Sequence, residues 1–333
     1  MNTKCREKYF MTAMREGLAA MLTENSKVII LGEDVERGVI GATRQLINEF
    51  GEQRIKNTPI SEAGFIGSAI GAAAVGVYPV IDLMYSSFLY VAMDQIANQA
   101  AKLRYMSGGQ VEIPLTIFAN TGLSGGAAAQ HSESPHPLLM NLPGIKVVMP
   151  SNPYDAKGLM IAAIREPNPV IYLQDGLLAG SKGVVPEQVY EVPLGRAQIK
   201  RNGTDATLVA IGILVNYALT VAEKLEVEQG ISIEVIDPRT LSPLDMDSIF
   251  TSVEKTGRLL VCDNARLTCS LASEIVASVS ENRFSYLHSS PRRVALENVP
   301  IPFSPVLEQA VAVTELKIEQ AITELFKNNM GKN

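Results

Sequence analysis

Five short apolar runs constrain this chain more than any other feature: VIILG at Val28–Gly32, YPVIDL at Tyr78–Leu83, IPLTIF at Ile113–Phe118, KVVMP from Lys146 and PVIYLQ from Pro169. Each is too short for a helix of ordinary length, and none alternates apolar with polar residues as a half-exposed strand would. Continuous runs of this kind suit strands buried on both faces. Between several of them lie stretches with helical spacing, such as Met11, Met14, Leu18, Met21 and Leu22 on one face of a helix over about 6–22. Further helices are expected near 42–50, over 88–105 and over 153–165. Strands that alternate with helices argue for an α/β domain built on a mostly parallel sheet. From Asp175 to about Asp205 the periodicity fades and Gly and Pro recur. A second, smaller α/β unit follows, with ATLVAIG, ISIEVID and RLLVCD as strands and helices around 215–229, 245–255 and 270–281. The expected organisation is a first domain over 1–185, a linker over 186–200 and a second domain over 201–333.

Composition narrows the class. The chain has 333 residues, 47% hydrophobic and 19% charged, with a net charge of −6 and no long run of one sign. That excludes the basic patch of a nucleic-acid binder. Three cysteines, Cys5, Cys262 and Cys269, are too scattered for a disulfide framework, and no metal-ligand spacing links them to His131, His136 and His288. The start MNTKCREKYF lacks the apolar core of a signal peptide, so the expected location is the cytoplasm. The hydrophobic run from Phe65 to Ile81 is shorter than the roughly 20 residues of a membrane span and contains Pro79. It reads as a buried helix followed by a strand. Residues 328–333 read as a frayed tail.

Three polar spots interrupt these apolar stretches. Glu33 and Asp34 follow Gly32 at a strand's carboxyl end, where open parallel sheets keep their ligands. Glu62, in TPISEAGFIGSAIGAAAVG, precedes a run without another charge until Asp82. A carboxylate there is costly unless something receives it. Pro59 presets the backbone, Ser61 can cap a helix and Glu62 complements its dipole; Gly64, Gly67 and Gly71 allow a backbone or flat ligand to approach. The plain alternative is a helix N-terminus followed by a buried helix. His131 lies within a glycine- and alanine-rich loop, ANTGLSGGAAAQHSESPHP, which suits a second functional site or a purely structural histidine. The order strand, GxGxxG, helix is absent, as is GxSxG, so neither a dinucleotide fold nor a hydrolase elbow is indicated. These residues alone leave the reaction unnamed.

Longer motifs supply a family. GEDV at Gly32, the PISE segment, MDQIANQAAKLRYMSGGQ at Met93, AAAQHSES at Ala127, PGIKVVMPSNPYDAKGL at Pro143 and SVEKTGRLLV at Ser252 together resemble the beta subunit of thiamine-diphosphate-dependent 2-oxo acid dehydrogenases. NARLTCSLASEI at Asn264 and PIPFSPVLE at Pro300 look most like the acetoin dehydrogenase branch. The resemblance implies a transketolase-like pyrimidine-binding domain followed by a transketolase C-terminal domain. It implies an enzyme active only with an alpha subunit, in an α2β2 assembly that passes an acyl unit to the lipoamide of an acyltransferase core. Glu62 would hydrogen-bond a ring nitrogen of the cofactor's aminopyrimidine, Phe88 would stack on that ring, Glu33 would belong to the cofactor site, and His131 would face the reactive carbon. The chain lacks the GDG motif that holds diphosphate and Mg2+ in this class, so the resemblance assigns those groups to the alpha subunit. A K+ ion would be held by main-chain carbonyls of Leu115, Ala163, Ile164, Glu166 and Asn168. Gly67 and Gly71 would permit close helix packing, either across the subunit interface or within the domain. Three positions depart from the family pattern: Gln174 for a usual glutamate, Ala119 for an arginine and Asn264 for an acid. The rival readings are one half of a split transketolase and a non-catalytic assembly subunit.

Overall fold

The computed structural model describes Cys5–Lys327; the N-terminal start and the tail at 328–333 lie outside the described residues. Two compact units divide the chain. The first comprises residues up to Ser124 together with Gln130–Leu194, and the second Gly125–Ala129 together with Gly195 onward.

In the first unit every expected apolar run contributes a strand. In spatial order these are Lys146–Val148, Val170–Asp175, Thr116–Thr121, Tyr78–Tyr85, Val28–Gly32 and Ile55–Asn57, and all neighbours run parallel. Such strands need cover on both faces. One cover is the helix Phe10–Glu24, which packs on the helix Pro153–Arg165. Gly17 makes that approach close: a Cβ there would stand 3.0 Å from the Lys157 carbonyl oxygen. The core includes Phe10, Met14, Leu18, Phe118 and Tyr172, all fully buried; each such side chain contributes about 1.5–3 kcal/mol by leaving water. Tyr172 keeps its hydroxyl satisfied by donating to the Ala156 carbonyl at 2.9 Å.

Some local expectations shift. The first helix begins at Phe10 because Cys5–Tyr9 is a strand, paired antiparallel with Lys182–Pro186. The helix expected over 42–50 is shorter, Leu46–Phe50, and the strand expected over 113–118 is Thr116–Thr121. The single helix expected over 88–105 is three pieces: a 3-10 segment Ser86–Ala92, a π segment Gln95–Ala100 and an α-helix Ala101–Met106. Segments of 7, 6 and 6 residues complete too few turns for their different periods to show in the apolar pattern. The run Phe65–Ile81 is divided between the helix Glu62–Ala74 and the strand Tyr78–Tyr85. No helix among the described residues is long and apolar enough to cross a membrane.

The second unit is a mixed sheet in the order Arg292–Leu296, Leu259–Arg266, Ala206–Ala210, Ile233–Asp237 and Gln198–Arg201, the last antiparallel. Two of its helices start at side-chain caps: Asp245 accepts from the Ser248 N–H before Met246–Thr256, and Ser270 from the Ser273 N–H before Leu271–Asn282. Such caps satisfy orphan donors of the first turn.

Candidate active site

Three adjacent strands of the first unit, Val28–Gly32, Tyr78–Tyr85 and Thr116–Thr121, bring their carboxyl ends to one edge of the sheet. Parallel sheets keep ligands at that edge. Glu33 follows the first strand, and the Thr58 N–H donates to the Gly32 carbonyl at 3.0 Å, tying the approach to Glu62 onto the same strand end. Glu62 opens the helix Glu62–Ala74, with Ser61 at the cap position but without a side-chain cap bond. Gly64 accommodates that serine: a Cβ at position 64 would come within 2.8 Å of the Ser61 hydroxyl.

Glu62 is half-exposed rather than buried. The reason is the helix face: Phe65, Ile66, Ala69, Ile70 and Ala73 point inward, while Gly64, Ser68 and Gly71 are exposed. Around Gly71 nothing lies within 4 Å of a built Cβ, so packing within the domain does not account for that glycine. Among the described residues the Glu62 side chain makes no hydrogen bond or ion pair, leaving its oxygens available as acceptors.

The second strand ends irregularly. Its register shifts between Asp82 and Tyr85, and Met84 takes a left-handed conformation at φ 60°. An Asp82 side-chain oxygen accepts the Met84 N–H at 3.0 Å, holding this bend. Beyond it, Tyr85 and Phe88 meet His131 in a three-ring cluster. The centroid separations are 4.5 Å for Tyr85 and His131, 5.7 Å for Phe88 and His131 and 5.9 Å for Tyr85 and Phe88, all edge-on near 80°. Phe88 and His131 are half-buried. The helix of Glu62 packs against Ser86–Ala92, the segment that carries Phe88. The sequence alone does not single out Tyr85 and Asp82; the only signal they carry is position toward the end of an apolar strand. Burial pushes the Asp82 carboxyl up to about 7, partly opposed by the bond from Met84.

The remaining residues lie elsewhere. Ala163 and Ile164 sit in the last turn of the helix Pro153–Arg165, where carbonyls lack in-helix donors. The Leu115 carbonyl accepts the Val170 N–H at 2.9 Å. The side chains of Glu166 and Asn168 are engaged: Lys146 pairs with Glu166 at 2.7 Å, and Arg104 donates to Asn168 at 3.0 Å. Gln174 lies opposite Asn120 in the strand register and donates to its side-chain oxygen. Ala119 is buried in the same strand as Asn120, and Asn264 belongs to the second unit.

A flat, uncharged heteroaromatic ring fits this arrangement: a free carboxylate can meet a ring N–H, and half-buried aromatics can cover a ring face. No cluster of three or more His, Cys, Asp or Glu that could hold a metal occurs among the described residues.

Sequence comparison agrees with this division. Residues 7–175 match the transketolase pyrimidine binding domain and residues 195–318 the transketolase C-terminal domain. These matches define a transketolase-type chain, a pyrimidine binding domain followed by a transketolase C-terminal domain. The chain belongs to the family of beta subunits of acetoin and 2-oxo acid dehydrogenases. It is 45% identical over 328 residues to the acetoin:2,6-dichlorophenolindophenol oxidoreductase subunit beta of Bacillus subtilis (strain 168), covering 94% of this chain and 96% of that one. It is 40% identical over 313 residues to the pyruvate dehydrogenase E1 component subunit beta of Rhizobium meliloti (strain 1021), covering 93% and 68%. A solved split-gene transketolase, described as an inactive beta4 tetramer, superposes with a TM-score of 0.79 over 96% of this chain and 99% of that one at 22% identity, a likeness of fold.

Proposed function

We propose that this chain is the beta subunit of a thiamine-diphosphate-dependent dehydrogenase that cleaves acetoin or decarboxylates a 2-oxo acid, working with an alpha subunit. The observation that carries the reading is the placement of a free carboxylate, Glu62, on the helix packed against the segment of Phe88, with His131 in ring contact with Phe88. When bound, thiamine diphosphate would supply the nucleophilic carbon and the electron sink that the donor chemistry needs. Glu62 accepts a hydrogen bond from the aminopyrimidine and holds the proton there. Phe88 covers the ring face. His131 faces the donor and the acyl acceptor, and Glu33 lines the same strand edge.

Because Glu62 is half-exposed in the single chain, the alpha subunit completes the enclosure and contributes the groups for diphosphate and Mg2+. An α2β2 assembly and transfer to the lipoamide of an acyltransferase core follow from the same reading. A K+ ion held by the main chain of Leu115, Ala163, Ile164, Glu166 and Asn168 would brace the end of the helix Pro153–Arg165. The higher identity to an acetoin-oxidising relative favours acetoin as donor.

The test is dye reduction by the complex reconstituted with its alpha subunit, thiamine diphosphate and Mg2+, comparing acetoin, pyruvate and branched 2-oxo acids. Turnover of acetoin in preference to the acids is expected. Glu62→Gln should lower turnover by about 100-fold or more, in the range of lost general acid-base catalysis, with assembly intact. Near-normal turnover in that variant would remove Glu62 from the chemistry.

A further inference from the structure

His131 ends a loop that has little of its own to hold it. The residues from Gly122 to Gln130 are mostly glycine and alanine, with Gly122, Gly125, Gly126 and Ala128 all at positive φ, and the loop gains only the single 3-10 turn Ala129–His131. Side chains this small cannot fix an imidazole by packing. The main chain is fixed instead, by hydroxyls on both sides of His131. Before it, the Ser87 hydroxyl donates to the Gln130 carbonyl. After it, the Glu133 carbonyl receives the Ser86 hydroxyl at 2.9 Å, the Thr121 hydroxyl at 3.0 Å and the Gly122 N–H at 3.0 Å.

The donors come from two elements. Thr121 closes the strand Thr116–Thr121, and Ser86 and Ser87 begin the 3-10 segment that carries Phe88. Ser86 and Thr121 are each 1% exposed, so water cannot replace the Glu133 carbonyl as their partner. A carbonyl oxygen has two lone pairs, and three converging donors leave it little freedom to move.

We propose that Ser86, Ser87 and Thr121 are positioning residues that clamp the His131 loop and set the imidazole against Phe88 and Tyr85. Phe88 follows the two serines directly, so one set of hydrogen bonds registers the ring-covering aromatic and the donor-facing histidine to each other. The catalytic consequence rests on the substrate-facing role of His131 proposed above; the geometric consequence does not.

The experiment uses Thr121→Val, which keeps the shape and removes the hydroxyl, Thr121→Ser, which keeps the hydroxyl, and Ser86→Ala as an independent removal. The chain has three histidines, so the imidazole 1H–13C signals of the purified chain are few, and His131→Gln assigns the one in question. Tyr85 lies edge-on to His131, so a shift of the imidazole out of that contact changes its resonance. Thr121→Val and Ser86→Ala are expected to move the His131 signal and leave that of His288 in place, while Thr121→Ser restores it. In the complex with the alpha subunit, kcat/KM for the donor should fall about tenfold for the two removals, the effect of one net hydrogen bond expressed in the rate. Cofactor affinity measured by titration should change less. If Thr121→Val does not fold, Ser86→Ala carries the test. A His131 signal unchanged in the folded removal variants, or moved as far by Thr121→Ser as by Thr121→Val, overturns the clamp. Full turnover in His131→Gln would instead remove the substrate-facing role and leave the resonance test standing.

Discussion

Tyr85 and His131 meet edge to face, 4.5 Å between ring centroids and 81° between planes, although 46 positions separate them in the chain. The contact joins the bent end of one strand to the loop that follows its neighbour. Edge-on aromatic pairs contribute about 0.5–1.5 kcal/mol beyond the area they bury. Tyr85→Phe should therefore keep donor turnover near that of the parent, while Tyr85→Ala should lower kcat/KM by roughly three- to tenfold. Steady-state assays of the reconstituted complex distinguish the two, and equal effects would place the phenol hydroxyl, rather than the ring, at the centre of the role.

Asp82 is expected to make stability depend on pH. Its carboxyl is pushed from 3.8 to about 7 by burial, so the folded chain holds a proton that the unfolded chain releases between those values. Stability from this group is present in full below about pH 4 and is lost as pH rises through about 7, a swing of at most about 4 kcal/mol. Asp82→Asn keeps an oxygen for the Met84 N–H and removes the charge. Urea midpoints at pH 5 and pH 8 should show the parent losing stability relative to the variant; parallel behaviour would mean that Asp82 does not titrate in this window.

Gly144 has φ +99°, and a Cβ there would overlap the backbone carbonyl of Ala101. Both the dihedral and the space exclude a side chain. Gly144→Ala should cost about 2–4 kcal/mol, read as a lowered denaturation midpoint. A change below about 0.5 kcal/mol would contradict the close approach.

Gly71 predicts opposite signs for two substitutions. With nothing within 4 Å and a helical backbone, Gly71→Ala should raise the stability of the isolated chain by about 0.5–1 kcal/mol. Gly71→Leu should fold as well yet weaken association with the alpha subunit, because the exposed small-residue face of the Glu62 helix is the surface proposed to be covered. Calorimetry of the chain and sedimentation of the mixture measure the two effects separately; unimpaired association of Gly71→Leu would place the alpha subunit elsewhere.

Much of this protein is written locally. Apolar runs such as Val28–Gly32 and Val170–Asp175 specify strands buried on both faces, and helical spacing from Met11 to Leu22 specifies the cover over them, because periodicity along a chain encodes which faces must leave water. Glu62 was legible for the same reason: a charge at the head of an apolar helix stands out without knowledge of its neighbours. What depended on tertiary structure was every relationship across long separations. The strand Cys5–Tyr9 exists because Lys182–Pro186 pairs with it, and a pairing across that distance leaves no local period. Tyr85, Asp82 and the serines that hold Glu133 became parts of one site only when parallel register aligned three strand ends. The exposure of Glu62 was also decided there, since the helix turns its apolar side inward and leaves the carboxylate half-exposed. Periodicity specifies a face; register and loop closure decide what that face meets.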